Sequence, residues 1–365
     1  MRYLKQVRQR GYVLVATSVS AIVLVSGMGV AIDMGKMYIA KSELQAFVDS
    51  ASVSAALELD GTSAGIARAK AAAAATGLKW NFNSTTTSAP TVEFAANGAG
   101  PWAVTPSNAS GHRWARVTST QQVKMFFLPV LVKKYQTPVQ SRSVAAQVAK
   151  TIWREGLFPF SPYAHNATPP DFGLQRGDHY TLRWPSNPTM GNKHGAGSNM
   201  CPGDRKMAIL NMAEAAGGSE RGYIEESSAN NIRLTIEEDY QTIQRGIGDI
   251  VTMTGGAKQS QLDSLEDRIA QDTNTTAATY ADYIASGTGN RRRIIAAPIN
   301  DGGSPMGSNN RIVGIGAFFL RPTNQYGNGG NQAWCAEYIG PYVQGSLRPG
   351  VGDGTNGSFV VRLTE

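Results

Sequence analysis

The sequence predicts an α+β protein, with a single N-terminal transmembrane helix continuing into a stalk helix and then a β-rich ectodomain with few helices. Three observations lead there. Tyr12 to Ile32 is a run of 21 residues without a charge. The stretch after it repeats apolar side chains at three- and four-residue steps. The whole chain is only 17% charged and holds 40 glycines, the composition of a turn-rich fold.

At about 1.5 Å per helical residue the apolar run reaches about 31 Å, close to the ~30 Å hydrocarbon core of a bilayer. Thr17, Ser18, Ser20 and Ser26 are tolerated inside it, because each hydroxyl can bond a carbonyl of the preceding turn. Arg2, Lys5, Arg8 and Arg10 precede the run and Asp33 follows it, so the N-terminus is expected in the cytoplasm and the bulk of the chain outside. A cleaved signal peptide has a shorter apolar centre and a small-x-small cleavage site. Here helix-compatible sequence continues through Leu59 without proline, which favours an uncleaved anchor. Gly27, Ala31 and Gly35 stand four apart and form a stripe where a second helix could approach.

Beyond Asp33, residues Met37, Ala40, Leu44, Phe47 or Val48, Ala51 and Ala55 mark one face, while Lys36, Lys41, Glu43, Gln45 and Asp49 fall elsewhere around the helix. The stalk therefore carries an apolar seam, for its own domain or for a partner, with self-packing the favoured use. Leu44, Phe47 and Ala51 are its packing candidates.

Several of these residues carry a family resemblance. Arg10-Gly11, the apolar run, Gly29 through Tyr38 with its Asp33-Met34-Gly35, and Leu44-Gln45-Ala46-Phe47-Val48-Asp49-Ser50-Ala51 together resemble the N-terminal segment of the TadE/TadG-like Flp (Tad) pilus-assembly family. The family pattern is an Arg-Gly start, a spanning helix, Asp-x-Gly-x-x-Tyr and then Leu-Gln-x-x-x-Asp-x-Ala-Ala. Phe47-Val48 and Ser52 depart from it where alanine is usual. Long TadG relatives often carry a von Willebrand A module, whose Asp-x-Ser-x-Ser metal string is absent here. Val123 to Leu128 followed by Val139 to Ala149 extends a weaker resemblance to about residue 150. The resemblance implies a bacterial inner-membrane protein, single-pass, that acts structurally with other Tad/Flp pilus-assembly proteins, including pseudopilin-like subunits.

The expected organisation is a basic tip (1–10), the transmembrane helix (11–32), a periplasmic stalk (33–60), a small α+β region (61–150) and a β-rich C-terminal region (151–365). Within 61–150, an alanine-rich helix centres on Ala64 to Thr76 with Gly77 as its stop. Thr91–Ala95, Trp114–Thr120, Val123–Phe127 and Val139–Ala149 are expected strands. Pro159, Pro162, Pro169 and Pro170 mark the boundary. After it, Tyr180–Trp184, Ile232–Ile236, Ile294–Ile299, Arg311–Leu320 and Phe359–Leu363 are strand candidates, and Ser260–Gln271 is the one clear helix. Glycine- and asparagine-rich loops are expected at 302–310, 325–331 and 350–357.

The net charge is +7, of which four charges lie in the basic tip, too mild an excess outside to argue for nucleic acid. Cys201 and Cys335 both lie outside the membrane by the orientation above. An oxidising compartment favours a disulfide over two separate small buried residues.

No string of residues predicts catalysis. Gly61-Thr62-Ser63-Ala64-Gly65 matches a nucleophile elbow but follows a helix where the elbow needs a strand. His112, His165, His179 and His194 form no zinc spacing, and paired cysteines could not join a histidine at a metal. Asp178-His179 beside Arg176 is expected as a solvated turn. Arg291-Arg292-Arg293 is expected as a solvated strand entrance, with phosphate or acidic-polymer binding as its alternative. Asp353-Gly354-Thr355-Asn356-Gly357 is expected as a tight turn rather than a calcium loop. Gly246 to Gly256 with the helix after it resembles exterior segments of TadG-like proteins. The expected function is a membrane-anchored assembly component without cofactor, metal or catalytic residues. Its rivals are an anchored ligand-binding, adhesin-like module and, less favoured, a periplasmic hydrolase.

Overall fold

The computed structural model describes residues 10–77, 85–87, 89–129, 133–185, 200–205, 220–224, 226, 228–255, 260–302, 310–329, 332–352 and 357–364. Its architecture is α+β. Helix α1 (Arg10–Leu57) runs unbroken through the expected span and stalk. Thr17 and Ser18 donate to the carbonyls of Val13 and Leu14 at 2.7 and 2.8 Å, so their hydroxyls are satisfied within the helix. Helix α2 (Ser63–Ala75) starts at Thr62, whose hydroxyl accepts from the Gly65 N–H at 3.0 Å.

Strands β1 (Thr85–Thr87), β2 (Thr91–Ala95), β3 (Trp114–Lys124) and β4 (Gln136–Ala149) form an antiparallel array. Along β3, and along β4 as far as Ser143, alternate residues are buried, and many of the inward ones are small: Ala115, Ser119, Ser141, Ser143 and Ala145. Short inward side chains let the helix axis approach the sheet. The seam of α1 fills the space, with Leu44, Val48, Ala51 and Ala55 in one core with Phe94, Val117, Val123 and Ile66. The expected stalk is thus a layer of the domain itself over its last 25 residues (33–57). Its C-terminal carbonyls, which have no partner within a helix, are met from a distance. Gln147 donates to the carbonyls of Ala56 and Leu59 at 2.9 and 2.7 Å, and Ser346 to that of Leu57 at 2.7 Å.

The remaining elements are β5 (Ile152–Trp153), β6 (His179–Arg183), the short helix α3 (Pro202–Arg205), β7 (Glu220–Ile224), α4 (Ala229–Glu238), β8 (Arg245–Gly246), β9 (Ile250–Val251) and β10 (Met253–Gly255). They are followed by α5 (Gln261–Ala270), α6 (Tyr280–Ser286), β11 (Ile294–Asn300), β12 (Asn310–Leu320), β13 (Trp334–Val343) and β14 (Ser358–Leu363). The main sheet runs β1-β3-β4-β14-β13-β12-β11, with β2, β6 and β9 pairing at its flanks. The C-terminal strand β14 lies between β4, antiparallel, and β13, parallel, and so joins the two halves of the chain by backbone hydrogen bonds. A second, aromatic core of Phe158, Phe160, Tyr223, Phe318, Trp334 and Tyr338 lies under Ile232 and Ile236 of α4 and Leu265 and Ile269 of α5.

Four expectations are corrected. Ile232–Ile236 is helix, not strand: Ser228 accepts from the Asn231 N–H, and Ile232, Thr235 and Ile236 are buried at helical spacing. Ser260–Gln271 contains helix α5 as expected, but α4 and α6 stand beside it in the same half. Val123–Phe127 is not a separate strand: β3 is continuous to Lys124 and ends there. Asp178-His179 is only in part a solvated turn: the Asp178 N–H closes a turn onto the Gln175 carbonyl, but His179 already opens β6 opposite Glu337. Strand β13, central in the sheet, has no counterpart among the expected strands. Gly340-Pro341 interrupts its pattern, and the register with β12 shifts there. Pro341 sits where the second neighbour of β13 changes from β6 to β14, so it is accommodated inside a central strand.

Candidate functional site

The most constrained polar geometry near the apolar span lies where α1 passes from exposed to buried surroundings. Asp33 is fully buried and accepts three backbone N–H groups, from Phe126 at 2.9 Å, Phe127 at 2.8 Å and Leu128 at 2.7 Å. This is why β3 stops: the N–H groups that would extend its ladder are turned onto a carboxylate 93–95 residues away in sequence. Burial alone would raise the Asp33 pKa, but the three donated hydrogen bonds, with Lys36 nearby, outweigh it and hold the carboxyl below its ordinary value.

One turn along, Lys36 donates to the Lys124 carbonyl at 2.9 Å and lies 3.7 Å above the Phe126 ring. Lys41 donates to the Gln140 carbonyl and Gln45 to that of Arg142, so α1 holds the edge of β4 along its length. One turn in the other direction, Gly29 is buried against Phe127: a Cβ there would stand 2.6 Å from the ring's Cγ. A side chain at 29 cannot be added without moving Phe127.

The expected packing residues fall into two sets. Leu44, Phe47 and Ala51 are buried in the helix–sheet core. Gly27, Ala31 and Gly35 are exposed, and a Cβ at Gly27 or Gly35 would meet nothing within 4 Å. The glycine that the fold itself uses, Gly29, lies off that stripe. Cys201 and Cys335 are joined in a disulfide, with Cα atoms 5.7 Å apart, tying the segment before α3 to β13.

The histidines are scattered: His112 faces the Ser110 carbonyl at 3.2 Å, His165 lies 3.6 Å from Asp204, His179 is in β6 and His194 lies outside the described residues. Among the described residues no group of three His, Cys, Asp or Glu side chains is placed to hold a metal. Ser63 is exposed in the first turn of α2. Most of the turn 353–357 lies outside the described residues.

The arginine run is a correction: Arg293 is fully buried. Its guanidinium donates to the carbonyls of Leu320, Asn274 and Ala277 at 2.9, 2.8 and 2.6 Å and lies 4.3 Å from the Phe319 ring. Arg292 and Arg268 each reach one oxygen of Asp239 at 2.7 Å. Asp239, Arg268 and Arg292 border a cleft with Trp153, Glu155 and Arg291, and among the described residues no histidine or cysteine lines it. Arg268 of α5 and Arg292, just before β11, thus share the Asp239 carboxylate at the end of α4, an arrangement that fastens these elements together.

Sequence reasoning missed the Asp33 clamp. Its one local signal is a lone carboxylate directly after an apolar span, which bears on orientation and on the family string but names no partner.

Residues 11–58 match the family model described as "Putative Flp pilus-assembly TadE/G-like". The match thus covers α1 almost whole, both the exposed apolar half and the half laid on the sheet. No curated protein and no solved structure matches the chain.

Proposed function

We propose, from the family match over α1, that this chain is a membrane-anchored structural component of a bacterial Flp/Tad pilus-assembly system. The first half of α1 crosses the inner membrane with the N-terminus in the cytoplasm, and the folded part stands in the periplasm. It serves the apparatus through contacts with other Tad/Flp assembly proteins, pseudopilin-like subunits among them, and not through catalysis.

The observation that carries this reading is the build of α1. One unbroken helix offers about 31 Å of exposed apolar surface and then becomes a core layer of the ectodomain. The anchor and the body therefore share one continuous helix, the later part of which is packed into the ectodomain core. Exposed Gly27, Ala31 and Gly35 leave one face of the spanning half open to a partner helix.

The test is deletion of the gene, followed by complementation with the wild-type chain. Loss of surface pili with other assembly proteins still present, restored by complementation, is the expected result. Normal piliation in the deletion strain would overturn the reading. A phosphatase fused after the C-terminus should be active if the orientation is right.

A further inference from the structure

We propose that Phe126 and Phe127, which follow the end of β3, form a second membrane contact that dips into the lipid surface on the side where the folded domain stands. This rests on the reading that the first half of α1 spans a bilayer. The occupant we assign to this surface is lipid.

The argument starts from depth. Gly29 precedes Asp33 by four residues, so it sits about 6 Å further along the axis into the apolar run. Phe127 packs directly on Gly29. Its neighbours on the helix at that level, Val25, Met28 and Ile32, are all more than half exposed. If those side chains meet lipid, a ring fixed at the same level meets it too. The three N–H bonds to Asp33 hold the turn there, so its depth is set by the fold.

Composition agrees with placement. Phe126 is 63% exposed and Phe127 39%, an unusual pair of large apolar side chains for a turn facing water. From Phe126 to Pro129 the sequence holds no charged or polar side chain, and the exposed Lys133-Lys134-Tyr135 lead into β4. Across the turn, the Met125 N–H donates to the Tyr135 carbonyl at 2.9 Å, and Tyr135 is 71% exposed. Tyr38 of α1 is exposed as well, and so are Lys133 and Lys134. Aromatic rings with lysines around an apolar tip are the arrangement that settles at the headgroup level, rings toward the acyl chains and ammonium groups toward phosphates. Leu128 packs on the helix–sheet core, so the turn is two-faced: Leu128 toward protein, Phe126 outward, and Phe127 lying on Gly29 with its free side outward.

The experiment uses the full chain in vesicles of phosphatidylethanolamine and phosphatidylglycerol. The native cysteines are bonded to each other, so one added cysteine carries a nitroxide. Labels go at Phe126→Cys in the turn, Val23→Cys in the span and Ala99→Cys on an exposed loop. Accessibility to oxygen and to a water-soluble nickel chelate is read by power saturation. The expected result is a Phe126→Cys label with several-fold lower nickel accessibility than the Ala99→Cys label and higher oxygen accessibility, with Val23→Cys deeper still. A turn label as open to nickel as Ala99→Cys, with Val23→Cys in lipid, overturns the proposal alone. A Val23→Cys label open to nickel overturns the spanning reading and the proposal with it. Dipolar broadening at Phe126→Cys that disappears on dilution with unlabelled protein assigns the turn to a second copy and overturns lipid contact. Tyr135→Cys serves as the second reporter if Phe126→Cys accumulates poorly.

Discussion

Between Tyr12 and Ile32, α1 exposes its large side chains, with Tyr12 at 81%, Leu14 at 70% and Ile22 at 67% exposure; between Asp33 and Leu57 the same helix buries Leu44, Val48, Ala51 and Ala55 completely. The first half is apolar all round, whereas the second is apolar on one face and carries Lys41, Glu43 and Asp49 on the others. An all-round apolar helix suits a surrounding with one polarity, and a one-sided helix suits the boundary between a core and water. One unbroken helix therefore carries surfaces suited to two surroundings, and Asp33, whose carboxylate caps the loose end of β3, stands at the change.

The strongest way to break that contrast is to place the same charge in each half. Leu44→Asp with Phe47→Asp puts carboxylates into the helix–sheet core at several kcal/mol each, a large share of a domain's net stability of roughly 5–15 kcal/mol. Limited proteolysis in detergent should then digest the exterior region. Val19→Asp with Val23→Asp, at exposed apolar positions, should leave that region protease-resistant and instead reduce membrane insertion.

Next in size is Cys335→Ser, which opens a bridge between residues 134 apart and should cost about 4–5 kcal/mol in the chain-entropy model. The melting temperature should fall. Hydrogen exchange should rise most around β6 and β13, far from the clamp at Asp33.

Asp33→Ala removes the acceptor for three N–H groups, with an orphaned buried donor costing about 1–3 kcal/mol. Amides 126–128 should lose protection while those in the middle of β3 keep theirs, and Asp33→Asn should recover part of the loss. Because the folded pKa is lowered, the clamp contributes fully above the ordinary carboxyl value of 3.8 and is lost as pH falls through the lower, folded value. A pH titration of exchange at these amides checks the sign, and protection lost well above 3.8 would contradict it.

The smallest effect sharpens the contrast within the span. Gly29→Ala should destabilise by about 1 kcal/mol, because its methyl meets Phe127. Gly27→Ala and Gly35→Ala meet nothing in this chain and should be neutral or gain up to about 1 kcal/mol of helix propensity. Thermal melts of the three variants in detergent would rank them. A loss of pili in Gly27→Ala with an unchanged melt would locate a partner helix at the stripe.

What the sequence determined by itself was local and periodic. An uncharged run of bilayer length and a three-and-four seam each record a surrounding that stays constant along an element, and so they survive without tertiary knowledge. The same holds for the family segment, which lies within one helix. The short Ile232–Ile236 stretch could not be resolved that way, because five residues fit either period and the deciding cap, Ser228, lies outside the stretch. Only the tertiary structure decided the rest. The carboxylate of Asp33 meets N–H groups more than ninety residues away, Gln147 caps the end of α1, Arg293 enters the core, and β14 slides between β4 and β13. Each joins groups distant in sequence whose own neighbours give no sign of the partner. A buried polar atom must be satisfied, but the chain's order does not say by which donor or acceptor.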